Sequence, residues 1–268
     1  MDLTKVKLVV TDMDGTLLNS KGAVSKKFYH LYHELTKRNV HFVAASGRQY
    51  NNMVHKLNLL KDDITFIAEN GGIAKYREEE IVITSLPQDK VNMLVPLLRT
   101  IKEVYPVICG NKNAYTENGQ DYFIEVLKEY YTKYSIVNDL TAINNDLVFK
   151  IAVYHFESSE NYIYPAVKHL ENDLQVKVSG HHWVDISHPD ANKGHALQLV
   201  QQRMGISPNE TMVFGDYNND LEMLTCADFS FAMANAHPNV KKIARYTTKS
   251  NDEFGVELVL EQLLKAKS

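Results

Sequence analysis

The sequence predicts an α/β fold in which a doubly wound parallel sheet is interrupted by an inserted α+β segment. In the first third of the chain, short unbroken apolar runs rich in β-branched residues alternate with amphipathic stretches. This is the pattern of buried parallel strands joined by helices. Over about 86–185 strand-like runs become frequent and their connections vary, and the parallel pattern returns at 211–216.

The core elements follow from apolar spacing and from end signals. Ser25 is a candidate N-cap for a helix with apolar residues at helical spacing, and Gly205 ends another helix. The predicted core elements are a strand at 7–10 that ends at Thr11 and Asp12, a helix at 25–38, strands at 41–46 and 64–70, a two-stranded excursion at 76–85, a helix at 193–204, and strands at 211–216 and 229–236. The run Glu78-Glu79-Glu80 is interpreted as a solvated turn of that excursion, and Gly71-Gly72 as the turn leading into the insert.

The inserted segment is predicted to form an antiparallel sheet with helices. Pro96 either kinks the first of these helices or lies in its first turn. The predicted insert elements are a helix at 89–104, strands at 107–110 and 113–117, a helix at 120–131, a strand at 147–156, a helix at 158–172 and a hairpin at 174–187. We therefore expect a core domain of 1–85 plus 186–268, with 86–185 as an inserted domain.

Composition excludes several classes of protein. The 268 residues are 44% apolar and 23% charged, which is an ordinary globular balance. A net charge of -4 gives no basic field for nucleic acid or an anionic membrane. The two cysteines form neither a disulfide framework nor a metal-ligand pattern. Because no signal peptide and no membrane-spanning apolar run is evident, we expect a cytoplasmic protein.

The first chemical motif, Asp12-Met13-Asp14-Gly15-Thr16, follows the first predicted strand. Ligands of doubly wound sheets bind outside the carboxyl ends of the strands. A carboxylate can attack phosphorus to give an aspartyl phosphate, and a second carboxyl can protonate the leaving oxygen. The alternative is a purely structural Asp-rich turn that ends the strand. The pattern DxDGT favours the chemical interpretation, because it is a more specific motif than DxD alone.

A second carboxylate cluster, in Gly215-Asp216-Tyr217-Asn218-Asn219-Asp220, follows the strand at 211–216. Clustered carboxylates repel one another unless a cation lies between them, and Mg²⁺ prefers such oxygen ligands. An Asx-rich surface loop is an equally good interpretation when this motif is taken alone.

Two weaker signals lie at further element ends. Ser46-Gly47-Arg48 offers a hydroxyl and backbone N–H groups that could hold phosphoryl oxygens, although a plain N-cap would have the same residues. Lys193 opens a helix and could supply positive charge, although a lone lysine is usually solvated. All four motifs fall on one predicted sheet edge. This shared position favours phosphoryl transfer, because the alternative needs four unrelated structural features to lie there by chance.

In this order, DMDGTLL, ASGR, NKG and GDYNND resemble the four motifs of the haloacid dehalogenase-like superfamily. Asp14 resembles the phosphotransferase branch, and an insert between the second and third motifs resembles a type C2 cap. The stretches AENGG at 68–72, MANAHPNVKKIA at 233–244 and TKSNDEFGV at 248–256 further resemble the Cof-type sugar-phosphatase family, subclass IIB. The resemblance covers essentially the whole chain, strongly in the core and weakly in the insert.

This resemblance implies Mg²⁺ as cofactor and a role for each motif residue. The implied metal ligands are Asp12, Asp14 and Asp216. Asp12 is also the implied nucleophile. Asp14 is also the implied general acid/base, and it binds the metal through its backbone carbonyl. The implied phosphoryl-binding set is Ser46, Gly47, Lys193 and Asn219. The implied supporting set is Asp220, which orients Lys193 or a water on the metal, together with Arg48 and Asn70, which face the insert.

The sequence thus favours hydrolysis of small phosphomonoesters, such as sugar phosphates or phosphorylated cofactors. Two alternatives stay open: a phosphomutase or phosphotransferase with the same core chemistry, and a non-catalytic sensor of phosphorylated ligands. We expect a small-molecule partner, neither nucleic acid nor membrane, and no oligomeric state is predicted. His181-His182-Trp183 is interpreted as hairpin packing rather than a metal site, because adjacent strand residues point to opposite faces.

Overall fold

The computed structural model describes residues 2–77 and 79–268. The strands, in chain order, are β1 (Leu8–Asp12), β2 (His41–Ala45), β3 (Thr65–Ala68), β4 (Ile73–Tyr76), β5 (Glu79–Ile83), β6 (Tyr105–Gly110), β7 (Ala114–Thr116), β8 (Tyr134–Ile136), β9 (Val148–Tyr154), β10 (Gln175–Val178), β11 (Trp183–Ser187), β12 (Thr211–Gly215), β13 (Phe229–Ala232) and β14 (Tyr246–Thr247).

The described part of the chain contains ten α-helices. They are α1 (Lys26–Thr36), α2 (Tyr50–Lys56), α3 (Gln88–Arg99), α4 (Asp121–Tyr130), α5 (Ser159–Tyr162), α6 (Tyr164–Val167), α7 (Lys193–Met204), α8 (Leu221–Thr225), α9 (Pro238–Ile243) and α10 (Gly255–Ala266). Short 3₁₀ helices occupy Leu3–Lys5, Asn58–Leu60, Glu69–Gly71, Leu140–Ala142, Lys168–Asn172, Pro208–Glu210, Asn218–Asp220 and Asn251–Glu253.

The core sheet has the strand order β14–β13–β12–β1–β2–β3–β4–β5. The six strands from β14 to β3 pair in parallel, whereas β4 and β5 add an antiparallel edge. Every residue of β1 is buried, as expected for a central strand covered on both faces. The predicted α/β class with a parallel, doubly wound core is confirmed.

Most core elements occur where apolar spacing predicts them. The Ser25 hydroxyl accepts a hydrogen bond from the Phe28 N–H, so Ser25 caps α1 as expected. The α7 helix ends at Gly205, whose φ of 64° lies in the left-handed region. The strand predicted at 64–70 stops at Ala68, because the next two residues have positive φ. The two-residue strand β14 was not predicted.

The insert sheet has the order β10–β11–β9–β6–β7–β8 and is antiparallel except for one pair. The predicted antiparallel sheet is present except at β7 and β8, which pair in parallel because the α4 crossover returns the chain in the same direction. The proposed domain boundary at 185/186 falls inside β11, which pairs with β9 as far as Ser187. The division into two domains stays a proposal.

Three further local predictions need correction. Helix α3 ends at Arg99 rather than near 104, and Pro96 lies inside it, beyond the first turn. The helix predicted at 158–172 is broken into α5, α6 and a 3₁₀ segment, with Pro165 at the start of α6. Glu79 and Glu80 belong to β5 rather than to a turn, and Glu78 lies outside the described residues.

Among the helices of the described ranges, none combines the length and the apolar character that crossing a bilayer requires. The predicted cytoplasmic location stays a prediction.

Candidate active site

The sequence motifs meet at the carboxyl edge of the core sheet. Asp12 ends β1, Ser46 follows β2, Asp216 follows β12, and Lys193 begins α7. A cavity of about 70 Å³ opens here between the core sheet and the insert sheet. Seven of the predicted site residues line it: Asp12, Asp14, Ser46, Gly47, Arg48, Asp216 and Asn219. The other three, Lys193, Asp220 and Asn70, lie in contact with these lining residues.

Lys193 lies fully buried between two carboxylates. Its Nζ is 2.6 Å from Asp12 Oδ1 and 2.7 Å from Asp220 Oδ1. Burial alone would lower the pKa of Lys193, but the two carboxylates raise it above the ordinary value, so the side chain stays a cation. The Asn192 side chain caps α7 by accepting from the His195 N–H, which fixes the helix start that carries this lysine.

Asp220 uses both of its carboxylate oxygens within the protein. Oδ1 faces Lys193, while Oδ2 accepts hydrogen bonds from the backbone N–H groups of Asp216 (2.9 Å) and Tyr217 (3.1 Å). Asp220 therefore holds the loop after β12 against the lysine. Both oxygens of Asp220 are thus already engaged within the protein, and its supporting role stays a prediction.

Asp12 has one oxygen on Lys193 and one without a hydrogen-bond partner in the described part of the chain. Burial raises the pKa of Asp12 to about 7, the lysine opposes this rise, and the neighbouring carboxylates of Asp220 and Asp14 add to it. Burial, followed by the charge of Asp12, also raises the pKa of Asp216 well above its ordinary value. Buried carboxylates crowded in this way favour a bound cation.

Within residues 2–77 and 79–268, one cluster of three carboxylates has the spacing of metal ligands. Oxygens of Asp12, Asp216 and Asp220 lie within 4.8 Å of one another. With Asp220 satisfied inside the protein, the free Asp12 Oδ2 and the Asp216 carboxylate are the ligands left to offer. An all-oxygen donor set with few protein ligands fits Mg²⁺. Gly15, with φ of 79°, lets the loop after β1 pass beside Asp216, where a Cβ would overlap the carboxylate.

Asp14 is paired with Arg48 through two parallel hydrogen bonds. Arg48 Nε is 2.6 Å from Asp14 Oδ2, and Nη2 is 2.7 Å from Oδ1. The Arg48 Nη1 donates to Asn52 and to the backbone carbonyl of Glu129, the latter on helix α4 of the insert. The guanidinium also lies over the Tyr130 ring, 4.8 Å from its centroid. Arg48 thus links the proposed acid to the insert, the side of the cavity that sequence reasoning expected for it.

Ser46 and Asn219 line the cavity, and Asn70 lies behind Asn219 in contact with it. The Ser46 Oγ accepts from the Arg48 backbone N–H at 3.1 Å, so its own proton is free to be donated. Asn219 Nδ2 donates to Asn70 Oδ1 at 2.9 Å, and Asn70 Nδ2 donates to Asp185 of the insert. The expectation that Asn70 faces the insert agrees with this contact.

Sequence reasoning missed the residues that the insert contributes. Lys150 on β9 and Asp185 on β11 line the cavity, as do the aromatic side chains of Tyr130 and Trp183. A signal was available: Lys150 and Asp185 are single charges inside apolar strands, and all residues of β9 and β11 are buried. A buried charge needs a partner, so each pointed to a polar contact that the strand itself does not supply.

His181-His182-Trp183 shows no metal-site geometry in the part of the chain that the structure describes. The Trp183 ring packs 4.8 Å from that of Tyr154, and His182 Nδ1 lies 3.0 Å from the His155 carbonyl oxygen. These contacts agree with the packing interpretation.

A buried aspartate that shares a lysine with a second carboxylate, at a parallel sheet edge under an insert, is an arrangement suited to phosphoryl transfer. The family model of haloacid dehalogenase-like hydrolases matches residues 9–260, and the chain belongs to this family.

Similar proteins narrow the class. The chain is 32% identical over 263 residues to the 5-amino-6-(5-phospho-D-ribitylamino)uracil phosphatase YbjI of Escherichia coli, covering 97% of both chains. It is 29% identical to the putative phosphatase YxeH of Bacillus subtilis, covering 97% of this chain and 99% of that one.

Among solved structures, SMU.1108c from Streptococcus mutans matches with a TM-score of 0.90 at 29% identity, over 97% of this chain and 99% of that one. The subclass IIB sugar phosphatase BT4131 shares the fold, with a TM-score of 0.83 at 20% identity over 96% and 98% of the two chains. The chain is a phosphatase of the Cof type, as its motifs indicate.

Proposed function

We propose that this chain hydrolyses small phosphomonoesters with Mg²⁺ through an aspartyl phosphate on Asp12. The observation that carries the proposal is the state of that carboxylate: Lys193 holds one oxygen, and the other is buried at the cavity without a partner among the described residues. A nucleophile of this kind needs nearby positive charge to approach a phosphoryl dianion.

The chain's own residues account for both halves of the reaction. In the first, an Asp12 oxygen forms a bond to phosphorus while the ester P–O bond breaks, and Asp14 gives its proton to the leaving oxygen. In the second, a water oxygen forms a bond to phosphorus while the bond between Asp12 and phosphorus breaks, Asp14 takes a proton from the water, and inorganic phosphate leaves. Lys193 and the Ser46 hydroxyl contact the phosphoryl oxygens, and the insert excludes bulk water.

The acidic site fits Mg²⁺, which the Asp12 and Asp216 carboxylates and the Asp14 backbone carbonyl would hold. When bound, it offsets the negative charge that gathers on the transferring phosphoryl group.

The cavity wall supports a substrate with both polar and planar parts. Tyr130 and Trp183 offer aromatic faces, while Arg48 and Ser179 offer polar groups. Sugar phosphates and phosphorylated cofactors are the proposed substrate class. Within it, 5-amino-6-(5-phospho-D-ribitylamino)uracil, the compound for which YbjI is named, is the first to test, because it joins a polyol phosphate to a pyrimidine ring.

The test is phosphate release from p-nitrophenyl phosphate and a panel of phosphorylated metabolites, with Mg²⁺ and with EDTA. We expect turnover that needs the metal, and a loss of at least about 10³-fold in Asp12→Asn. Asp228→Ala is the control, because Asp228 pairs with Arg245 at the surface, away from the cavity. Full activity in Asp12→Asn would refute the proposal.

The panel also separates the alternatives. Transfer of phosphate to a sugar instead of water would identify a phosphomutase. Binding of phosphorylated ligands without turnover would identify a sensor.

A further inference from the structure

Three consecutive backbone carbonyls of the loop at Ser46-Gly47-Arg48 each accept a hydrogen bond from outside the loop. The Ser46 carbonyl accepts from the Asn70 N–H and the Arg48 carbonyl from the Glu69 N–H, both at 3.0 Å. The Gly47 carbonyl between them accepts from the Lys150 ammonium. The two outer donors belong to the core, whereas the middle one comes from strand β9 of the insert sheet.

The core donors are held in a costly backbone conformation. Glu69 and Asn70 have φ of 52° and 54°, in the left-handed region that residues with a Cβ rarely adopt. This turn directs two successive N–H groups at the loop after β2. Two of the three loop carbonyls are therefore bonded from the core, and among the described residues the Gly47 carbonyl is the one of the three that is bonded from the insert.

Lys150 is buried beside two acidic side chains that hold its ammonium next to the Gly47 carbonyl. It is 2% exposed, and its Nζ lies 3.0 Å from Asp185 Oδ2 and 3.3 Å from Glu69 Oε2. The ammonium donates hydrogen bonds to Asp185 and to the Gly47 carbonyl, and the Glu69 carboxyl lies beside it as a third neighbour. The carboxylates raise the pKa of Lys150 against the opposing effect of burial, so the cation persists.

The peptide between Gly47 and Arg48 is consequently held from both sides. Lys150 donates a hydrogen bond to the carbonyl of this peptide, which belongs to Gly47. The N–H of the same peptide, which belongs to Arg48, donates to Ser46 Oγ. With this N–H bound, the Ser46 hydroxyl keeps its proton for an acceptor in the cavity. Without Lys150, the partly buried Gly47 carbonyl would lose its hydrogen bond or the peptide would rotate, and either change would disturb the Ser46 hydroxyl.

We propose that Lys150 positions the phosphoryl-binding loop, so that the loop reaches its binding geometry only while the insert sheet is docked on the core. The inference rests on the proposed function, because it assumes that Ser46 and Gly47 receive the phosphoryl group. It assigns Lys150 to positioning, since its ammonium acts through the Gly47 carbonyl.

Lys150→Met tests this in the full chain, with inorganic phosphate as a competitive inhibitor of p-nitrophenyl phosphate hydrolysis. We expect the inhibition constant of phosphate and KM both to rise at least about 10-fold, the scale of one lost charged hydrogen bond. The same factor should apply to a sugar phosphate, because the loop contacts the group that all substrates share.

Lys177→Met is the matched control. Lys177 on β10 pairs with Glu222 on α8, which is another lysine-to-carboxylate contact between insert and core, but it lies outside the cavity. We expect its phosphate inhibition constant to stay within about twofold of the unaltered protein, because this partly buried ion pair does not contact the cavity. Circular dichroism and thermal melting establish that each variant is folded.

A folded Lys150→Met protein with unchanged phosphate inhibition would overturn the inference, as would an equal rise in Lys177→Met. Should Lys150→Met not fold, Lys150→Gln replaces it, because the shorter neutral amide cannot span to the Gly47 carbonyl.

The unaltered protein gives a third readout, since Trp183 is the chain's single tryptophan and lines the cavity from the insert. Inhibitory phosphate that leaves Trp183 fluorescence unchanged would contradict the coupling. Absence of any hydrolysis in the unaltered protein would instead count against the proposed function.

Discussion

Replacing Glu69 by glutamine removes a carboxylate from the junction of the two sheets without changing its shape. Glu69 is 1% exposed, and neither of its oxygens accepts a hydrogen bond from the described residues. It faces the Lys150 ammonium at 3.3 Å, yet burial outweighs this attraction and raises the pKa of Glu69 from 4.5 to about 7. The other nearby groups include the carboxylate of Asp185, which raises this pKa further, and the neutral side chains of Cys109 and Tyr131.

The raised pKa makes the stability of the protein depend on pH with a definite sign. Below pH 4.5 both the folded and the unfolded chain hold the Glu69 proton, so the carboxyl has its full stabilising effect. Between pH 4.5 and 7 the unfolded chain loses the proton and the folded chain keeps it, so stability falls as pH rises. Glutamine does not titrate, and Glu69→Gln should therefore gain about 2.5 kcal/mol on the unaltered protein between pH 5 and pH 8.

Urea denaturation followed by circular dichroism at several pH values between 5 and 8 measures this difference. Glu253→Gln is the control, because hydrogen bonds from Ser250 lower the pKa of this exposed carboxyl, and its pH trend should be small and opposite in sign. Parallel stability profiles for the unaltered protein and Glu69→Gln would refute the reasoning. They would mean that Lys150 keeps Glu69 ionised throughout this range.

Two further substitutions probe the carboxylates of the site. Lys193→Met removes the cation shared by Asp12 and Asp220 and should abolish turnover. Because two buried carboxylates then lose their partner, the free energy of unfolding of the metal-free protein, measured by urea denaturation, should fall by about 3–5 kcal/mol. An unchanged denaturation midpoint would contradict the buried contact of this lysine with the two carboxylates. Arg48→Lys replaces the two parallel hydrogen bonds that orient the Asp14 carboxyl with a single ammonium donor. The kcat/KM for a sugar phosphate should therefore fall at least about 10-fold. The loss should be smaller for p-nitrophenyl phosphate, whose leaving group needs no proton, and equal losses would argue against a link between Arg48 and the acid.

The predictable part of the fold is the part with a regular pattern. Short apolar runs and helical spacing were enough for β1, β2, β12, α1 and α7, because each is buried in a way that its own sequence displays. The failures are at positions where distant contacts or backbone geometry decide. The apolar spacing of α3 continues to Ile101 and Val104, yet the helix ends at Arg99, and Glu103 takes a positive φ. The strand β14 has only two residues, both exposed, and no pattern can mark it.

The same distinction applies to the site. Asp12, Asp216 and Lys193 could be proposed from sequence because chemically reactive groups stood at the ends of parallel strands and at a helix start, which meet at one sheet edge. Their partners could not, because Lys150 and Asp185 reach the site through the docking of one sheet on another, and no local spacing encodes that docking. What the sequence does show is that a single charged residue lies within an apolar strand. Burying such a charge without a partner is strongly unfavourable in free energy. In a two-sheet enzyme of this kind, such an isolated charge identifies where the second sheet contacts the reactive edge of the first.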